Sequence, residues 1–190
     1  MDLEKRKIPF YFLVFGLLFL SMIAFFNYFY GSSESVSDTN PVLVFYPNNP
    51  QTTLSLTNKS DLNNVYCLTS GNSINNPEAI SEAFNSVKGT IYIYFYFTSS
   101  EKKSSIKLMS EDVCLFNWTQ DASVIINSWL LFKISYDCNT KTYSVHINGR
   151  IVVLNEFFLT FEESYATNFV ISHEYGSTVK TYFKVISRNF

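Results

Sequence analysis

The sequence predicts an all-β fold, a two-sheet antiparallel β-sandwich, preceded by one N-terminal transmembrane helix. Residues 8–30 contain no charged side chain, whereas most of the remaining chain consists of short, alternating apolar segments. Asn, Pro and Gly separate these segments, which is typical of antiparallel strands joined by turns. About a dozen such segments in one chain favour two packed sheets.

Residues 8–30 are long enough to cross a membrane. At about 1.5 Å per helical residue they reach about 34 Å, against a hydrocarbon core of about 30 Å. Residues 5–7 are basic and precede this segment, which predicts a cytoplasmic tail at 1–7 and an extracellular or lumenal C-terminal domain. Residues 31–40 are small and polar and predict a flexible stalk, so that 41–190 form the β-sandwich domain. The alternative is a signal peptide cleaved near residues 31–33, which would make the protein secreted.

The composition limits the partners of this domain. The chain has 14 basic and 16 acidic residues and a net charge of −2, which gives no basic footprint for nucleic acid. Two N-glycosylation sequons, at Asn58 and Asn117, lie on the predicted outer side of the membrane. This side is oxidising, so the disulfide candidates are Cys67, Cys114 and Cys138. Three pairings remain open, and the leftover thiol is either buried or links a homodimer.

The first half of the domain contains several predicted strands and one predicted helix. Pro77 and Glu78 are typical of a helix start, which predicts a helix over 76–86. Residues 90–98 alternate clearly, with Ile and Phe on one face and Tyr on the other. The other predicted strands here are 42–46, 52–56, 65–69, 106–109, 113–118 and 124–127.

The second half contains two clear hairpins. Residues 129–136 and 142–147 alternate on either side of a polar loop at 137–141. Asn148 and Gly149 then predict a type I′ turn, because both residues tolerate positive φ. The strand after this turn is predicted at 151–154, and two further strands at 168–173 and 179–187.

These hairpins resemble the central hairpins of concanavalin A-like domains, a superfamily that includes laminin G-like modules and galectins. The resemblance is carried by Trp129 opening a strand, Tyr136-Asp137 before a turn, and a hydrophobic strand ending in Asn148-Gly149. It covers residues 125–190 best and implies a jelly roll. Another antiparallel β-sandwich remains an alternative.

The resemblance does not extend to the sugar site of galectins. That site needs a His/Asn/Arg set and a Trp followed by Glu and Arg, whereas Trp118 is followed by Thr119 and Trp129 by leucines. Legume-type lectins and laminin G modules often bind calcium, but Asp137 and Glu111-Asp112 lack the spacing of a calcium loop. No cofactor is therefore predicted, and no metal site.

The sequence also disfavours an enzyme. Glucanases of this fold resemble one another in a strand with carboxylates at alternate positions, because retaining hydrolysis needs two carboxyl groups about 5–5.5 Å apart. Glu162 and Glu163 are adjacent and would point to opposite faces of a strand. A glycan hydrolase would need Glu156, Glu162 or Glu163 opposite another acid in a groove.

Aromatic residues supply the candidate ligand site. If exposed, tyrosines in a row could stack on sugar rings or form a protein contact. The alternative is that both faces of this strand are buried, with the 77–86 segment covering the tyrosines. His146 points away from the core beside Arg150 and adds a small polar patch. The candidate ligand-binding residues are Tyr92, Tyr94, Tyr96, Trp118, Trp129, His146 and Arg150.

The leading hypothesis is a single-pass, type II membrane protein that displays a recognition module for glycan or protein ligands, without catalysis. The second hypothesis is a structural or assembly component of a membrane or viral envelope, in which the anchor and an intermolecular disulfide matter more than a ligand. A glycan hydrolase is the third.

Overall fold

The structure is a computed structural model that describes residues 43–50, 52–70, 75–120, 124–176 and 179–190. Over these residues the chain forms strands and turns and no helix, which confirms the all-β prediction. The predicted tail at 1–7, membrane helix at 8–30 and stalk at 31–40 lie outside the described residues. Within the described part, no helix has the length and apolar character of a membrane span.

The described residues contain twelve strands, all paired in antiparallel fashion. They are β1 (Phe45–Pro47), β2 (Thr52–Lys59), β3 (Leu62–Ser70), β4 (Glu78–Ser81), β5 (Lys88–Phe97), β6 (Ser104–Ser110), β7 (Val113–Thr119), β8 (Trp129–Asp137), β9 (Thr142–Ile147), β10 (Arg150–Phe157), β11 (Asn168–His173) and β12 (Lys180–Asn189).

The strands form the two sheets of a sandwich. The larger sheet has seven strands in the order β10-β9-β8-β5-β12-β3-β2, and the smaller has five in the order β1-β4-β11-β6-β7. The last strand of the chain, β12, lies between β5 and β3 in the larger sheet. Its neighbours are therefore set by pairing between distant parts of the sequence.

Alternating side chains fill the space between the sheets. The ring of Phe132 on β8 lies 5.0 Å from that of Phe95 in the same sheet and 4.9 Å from that of Trp118 in the other sheet. Both contacts are edge-to-face, an arrangement that contributes about 0.5–1.5 kcal/mol beyond the burial of the rings. The largest side chains that are under 2% exposed include Phe95, Phe97, Phe116, Phe132, Phe169 and Phe183.

The helix predicted over 76–86 is wrong. Residues 78–81 instead form β4, which pairs with β1 and β11 in the five-stranded sheet. Ala79 and Ser81 are buried while Glu78 and Ile80 are half-buried, so burial follows the two-residue period of a strand. The strand predicted at 124–127 is also absent from the structure.

The predicted turn at Asn148-Gly149 is confirmed. Asn148 has a φ of 49° and Gly149 a φ of 79°, as a type I′ turn requires. The Asn148 side chain also accepts a 2.8 Å hydrogen bond from the backbone N–H of Leu131. The turn is thereby fixed to β8, the neighbouring strand.

The predicted internal disulfide is absent, since all three cysteines are free thiols. Cys67 is buried on β3, Cys138 is buried just after β8, and Cys114 is half-buried on β7, the edge strand of the other sheet. The three cysteines thus belong to separate strands or turns that do not bring their thiols together.

Candidate functional site

A row of aromatic side chains crosses the outer face of the seven-stranded sheet. Because residues 91, 93, 95 and 97 of β5 point into the core, Tyr92, Tyr94 and Tyr96 point to the outer face. Each of these tyrosines is half-buried. The segment predicted to cover them contains β4, a strand of the other sheet.

The strand register brings four of the aromatic rings together. Tyr96 pairs with Trp129 of β8 on one side and with Tyr182 of β12 on the other. The ring centroids of Tyr96 and Trp129 are 5.4 Å apart at 65°, and those of Tyr96 and Tyr182 are 5.9 Å apart at 89°. Tyr94 adds a third edge-to-face contact, 6.3 Å from Trp129. We call Trp129, Tyr94, Tyr96 and Tyr182 the aromatic ladder.

Trp129 is held in this ladder by ring contacts. Its indole Nε1 is buried and has no hydrogen-bond partner within the described residues. A buried donor without a hydrogen-bond partner lowers the stability of a protein by about 1–3 kcal/mol. The edge-to-face contacts with Tyr94 and Tyr96 therefore position the indole, rather than a hydrogen bond from its N–H group.

Tyr92 belongs to a second, more polar row on the same face. It pairs with Lys133 of β8, which in turn pairs with His146 of β9. The ammonium of Lys133 lies 5.4 Å from the centroid of the Tyr92 ring. Burial, and to a smaller extent the charge of Lys133, lowers the pKa of His146 below its usual 6.5. The lowered pKa favours the neutral form of His146 at pH 7.

Lys59 lies over the end of the ladder that is formed by Tyr96 and Tyr182. Its Nζ is 4.6 Å from the ring centroid of Tyr96 and 5.1 Å from that of Tyr182. Cys67 on β3 lies beside Tyr182, and burial raises the pKa of its thiol. A hydrogen bond with Tyr182 and the nearby charges of Lys180 and Lys59 oppose that rise. This end of the ladder therefore combines packed rings with ammonium groups.

Two of the predicted site residues lie elsewhere. Trp118 is only 7% exposed and packs in the core against Phe132, so it is not part of the outer face. Arg150 follows the β9–β10 turn and lines a separate cavity of about 430 Å³ together with Ile125 and Val152. The structure brings the other candidates, Tyr92, Tyr94, Tyr96, Trp129 and His146, together on one face.

Three residues of this face are not predicted from the sequence. Tyr182 and Lys184 lie on β12, and Lys59 lies at the end of β2. The alternation of β12 indicates that Tyr182 and Lys184 share a face, but not which strand lies beside them. That depends on the pairing of β12 with β5, which brings together residues about 90 positions apart in sequence.

Asp137, which lacks the spacing of a calcium-loop ligand, has a structural role. Asp137 accepts hydrogen bonds from the backbone N–H groups of Asn139 and Thr140, which stabilises the β8–β9 turn. Within the described ranges, no three His, Cys, Asp or Glu side chains are grouped to hold a metal ion.

Comparison with known proteins identifies the fold. No family model and no curated protein sequence matches this chain. Among solved structures, a sialidase has a TM-score of 0.60 at 7% identity over 76% of this chain. The cellulose-induced protein Cip1 has a TM-score of 0.56 at 10% identity over 80% of this chain. The carbohydrate-binding module CBM66 from Bacillus subtilis has a TM-score of 0.52 at 8% identity over 81% of this chain.

The extent of these matches differs among the three proteins. The chain spans 17% of the sialidase, 92% of Cip1 and all of CBM66. At these identities the likeness shows the fold alone. At the level of the fold, the sandwich is a jelly roll similar to concanavalin A-like domains, as the hairpin resemblance implied.

Proposed function

We propose that this domain is a non-catalytic recognition module that binds a glycan on the outer face of its seven-stranded sheet. The aromatic ladder is the observation that carries the proposal. Tyr and Trp rings present apolar surface for stacking, and the tyrosine hydroxyl can hydrogen-bond a polar ligand. A sugar ring has apolar C–H faces and hydroxyl groups, so the ladder matches both of its properties.

The structural comparisons support this choice of ligand. CBM66 is a carbohydrate-binding module, and the match covers all of CBM66 and 81% of this chain. Fold likeness does not transfer a binding site, because one fold supports many functions. The ladder on this chain's own surface is therefore the main support, and the comparison adds to it.

The positions of the acidic residues support a role without catalysis. Glu156 accepts a 3.4 Å hydrogen bond from the hydroxyl of Tyr143, and Glu163 accepts one of 3.0 Å from that of Ser110. Both carboxylates thus bind neutral hydroxyl groups of the protein. Glycoside hydrolysis needs a carboxyl pair flanking the scissile bond, and we assign no residue to such a role.

A glycan-array experiment tests the proposal. The full-length chain in detergent should bind a subset of glycans, and Tyr94→Ala or Trp129→Ala should weaken binding at least about tenfold, since aromatic anchors dominate such contacts. Tyr46→Ala is the matched control, because Tyr46 is a 53% exposed tyrosine on β1 of the other sheet. Absence of binding by the folded chain, or equal loss in all three variants, would refute the proposal.

We also infer that residues 8–30 anchor the protein in a membrane and leave residues 43–190 on its extracellular or lumenal side. The basic residues before the apolar segment support this orientation. Asn58 and Asn117 have exposed side chains, as glycan acceptors must. Attachment of N-glycans at these two positions is the observation that tests the orientation.

An assembly role is the second candidate function. It is favoured by a strip of exposed apolar side chains on the edge strand β10 and the segment that follows it. Such a strip is typical of a protein contact surface. Sedimentation of the full-length chain separates the two functions, because an assembly component should form stable oligomers without a glycan. The strip comprises Ile151, Val152, Leu154, Phe157, Leu159 and Phe161, which are 46–70% exposed.

A further inference from the structure

We propose that the glycan bound by the outer face is anionic and carries carboxylate or sulfate groups. This inference rests on the proposed function and narrows it from glycans in general to one chemical class. It is drawn from the lysines that surround the aromatic ladder, which the sequence patterns did not indicate.

Each tyrosine of the β5 row has a lysine beside it. Lys59 lies over Tyr96, and Lys133 lies over Tyr92. Lys184 is the residue of β12 that pairs with Tyr94. The outer face therefore alternates stacking surface with ammonium groups along the length of β5.

Lys59 and Lys184 are fixed in place without being neutralised by acids. The Nζ of Lys184 donates a 3.1 Å hydrogen bond to the backbone carbonyl of Asn63. Lys59 is held by two rings, at 4.6 and 5.1 Å. Among the described residues, neither Lys59 nor Lys184 forms a salt bridge with a carboxylate. Asp61, in the turn after β2, is the nearest acid in sequence to Lys59.

The charge of the seven-stranded sheet is opposite in sign to that of the chain. The whole chain has a net charge of −2. The strands of this sheet, however, carry only two acidic residues, Asp137 and Glu156. Arg188 is offset by a salt bridge to Glu82. The basic residues of its strands are Lys59, Lys88, Lys133, Arg150, Lys180, Lys184 and Arg188. Of these, Arg150 lines the separate cavity and Lys88 pairs with Asp137, so they do not add to the charge around the ladder.

Lysine beside an aromatic ring suits an acidic sugar. A sugar ring stacked on Tyr94 and Trp129 would have two lysines beside it, because the Lys59 ammonium lies over the neighbouring Tyr96 ring and Lys184 pairs with Tyr94. Hydrogen bonds between an ammonium and a carboxylate or sulfate oxygen are about twice as strong as those between neutral groups. Charges at such a half-exposed site are also screened by salt, since the Debye length is about 8 Å at 0.15 M. Binding of the preferred glycan should therefore weaken as salt is added.

Two matched pairs of polysaccharides test the inference on the full-length chain in detergent. One pair is oligogalacturonate, which bears carboxylates, and its neutral methyl ester. The other is dextran sulfate and dextran. We expect at least one charged member to bind about tenfold more tightly than its neutral counterpart at 0.05 M salt. That preference should shrink several-fold at 0.5 M salt. The pair that shows it identifies carboxylate or sulfate as the recognised group.

Single variants separate specific recognition from general attraction to a polyanion. Lys59→Gln should reduce the preference for the charged glycan about tenfold, and Tyr94→Ala should reduce binding itself. Lys102→Gln removes a positive charge from an exposed loop. It should change neither the preference for the charged glycan nor the binding itself. Thermal unfolding of each variant shows that it is folded.

The outcomes are distinct. Equal binding of charged and neutral members, lost in Tyr94→Ala, would overturn this inference and leave the proposed function standing. Charged-glycan binding that falls equally in Lys59→Gln and Lys102→Gln, and not in Tyr94→Ala, would overturn the inference as non-specific attraction. Absence of binding to any glycan by the folded chain would overturn both.

Discussion

His173 is the one buried histidine of the described residues, and its protonation should affect folding. The side chain is 1% exposed, and its Nδ1 lies 3.1 Å from the hydroxyl of Thr181, which is itself 2.9 Å from that of Ser104. Its Nε2 has no hydrogen-bond partner in the described part of the chain. Burial lowers the pKa of His173 to about 4.

We predict that His173 makes the protein less stable in mild acid. Because its pKa is about 4 when folded and about 6.5 when unfolded, only the unfolded chain takes up a proton between these values. Stability is therefore retained above pH 6.5 and is lost as pH falls towards 4, by an amount on the order of 3 kcal/mol. Denaturant unfolding at pH 7 and at pH 4.5 measures this loss.

His173→Asn is the control for that measurement. The amide preserves a polar group beside Thr181 and does not titrate in this range, so the variant should lose less stability between pH 7 and pH 4.5. The lowered pKa of His146 acts in the same direction in both proteins and cancels in the comparison. Parallel losses in the two proteins would show that His173 does not cause the effect.

At the scale of elements, β8 shows how one strand serves both the core and the outer face. Phe132 is fully buried against Phe95 and Trp118, whereas its neighbour Leu131 is half-buried on the outer face beside Tyr94. The two residues are adjacent in sequence and point to opposite faces of the sheet.

We predict unequal costs for truncating these neighbours. Phe132→Ala should lower the free energy of unfolding by about 3–5 kcal/mol, because it leaves a cavity between the sheets. Leu131→Ala should cost about 1 kcal/mol, since solvent can occupy the vacated space. Chemical denaturation of both variants measures the difference. Equal costs would mean that the outer face is as tightly packed as the core.

The strands were predictable where their patterns are local. The alternation of β5 and β8 and the Asn148-Gly149 turn each depend on residues close in sequence. The segment at 76–86 was mispredicted because its helix-start residues are outweighed by tertiary pairing, which buries Ala79 between β1 and β11. The apolar residues at 124–127 have strand-like composition but no neighbouring strand to pair with.

The candidate site was only partly predictable for the same reason. The tyrosine row of β5 follows from alternation within one strand. The positions of Tyr182 and Lys59 beside it depend on how β12 and β2 are placed in the sheet, which no local pattern specifies. Trp118 was assigned to the surface because the sequence does not show that its strand faces Phe132.

For the whole molecule, the two sequons lie on strands that end the sheets. Asn58 is on β2, the edge of the seven-stranded sheet, and Asn117 is on β7, an edge of the five-stranded sheet. Edge strands expose unpaired backbone groups that can join sheets of different molecules. A bulky, soluble glycan on each edge would hinder such pairing.

We predict that the chain receives two N-glycans when it is made in cells with a secretory pathway. Asn58 and Asn117 are both exposed, and the Asn58 side chain uses its oxygen, not its nitrogen, to bond the N–H of Asn64 at 3.2 Å. The acceptor nitrogen of Asn58 is therefore not the atom engaged in that bond.

Enzymatic deglycosylation followed by electrophoresis tests this prediction and should show a decrease in mass that corresponds to two glycans. Asn58→Gln and Asn117→Gln should each remove one of the two steps of this decrease. Ser55→Ala, an exposed change on β2 outside the sequon, should leave both steps unchanged. A chain that carries no glycan, although it is folded and inserted in the membrane, would place the sandwich on the cytoplasmic side and contradict the proposed orientation.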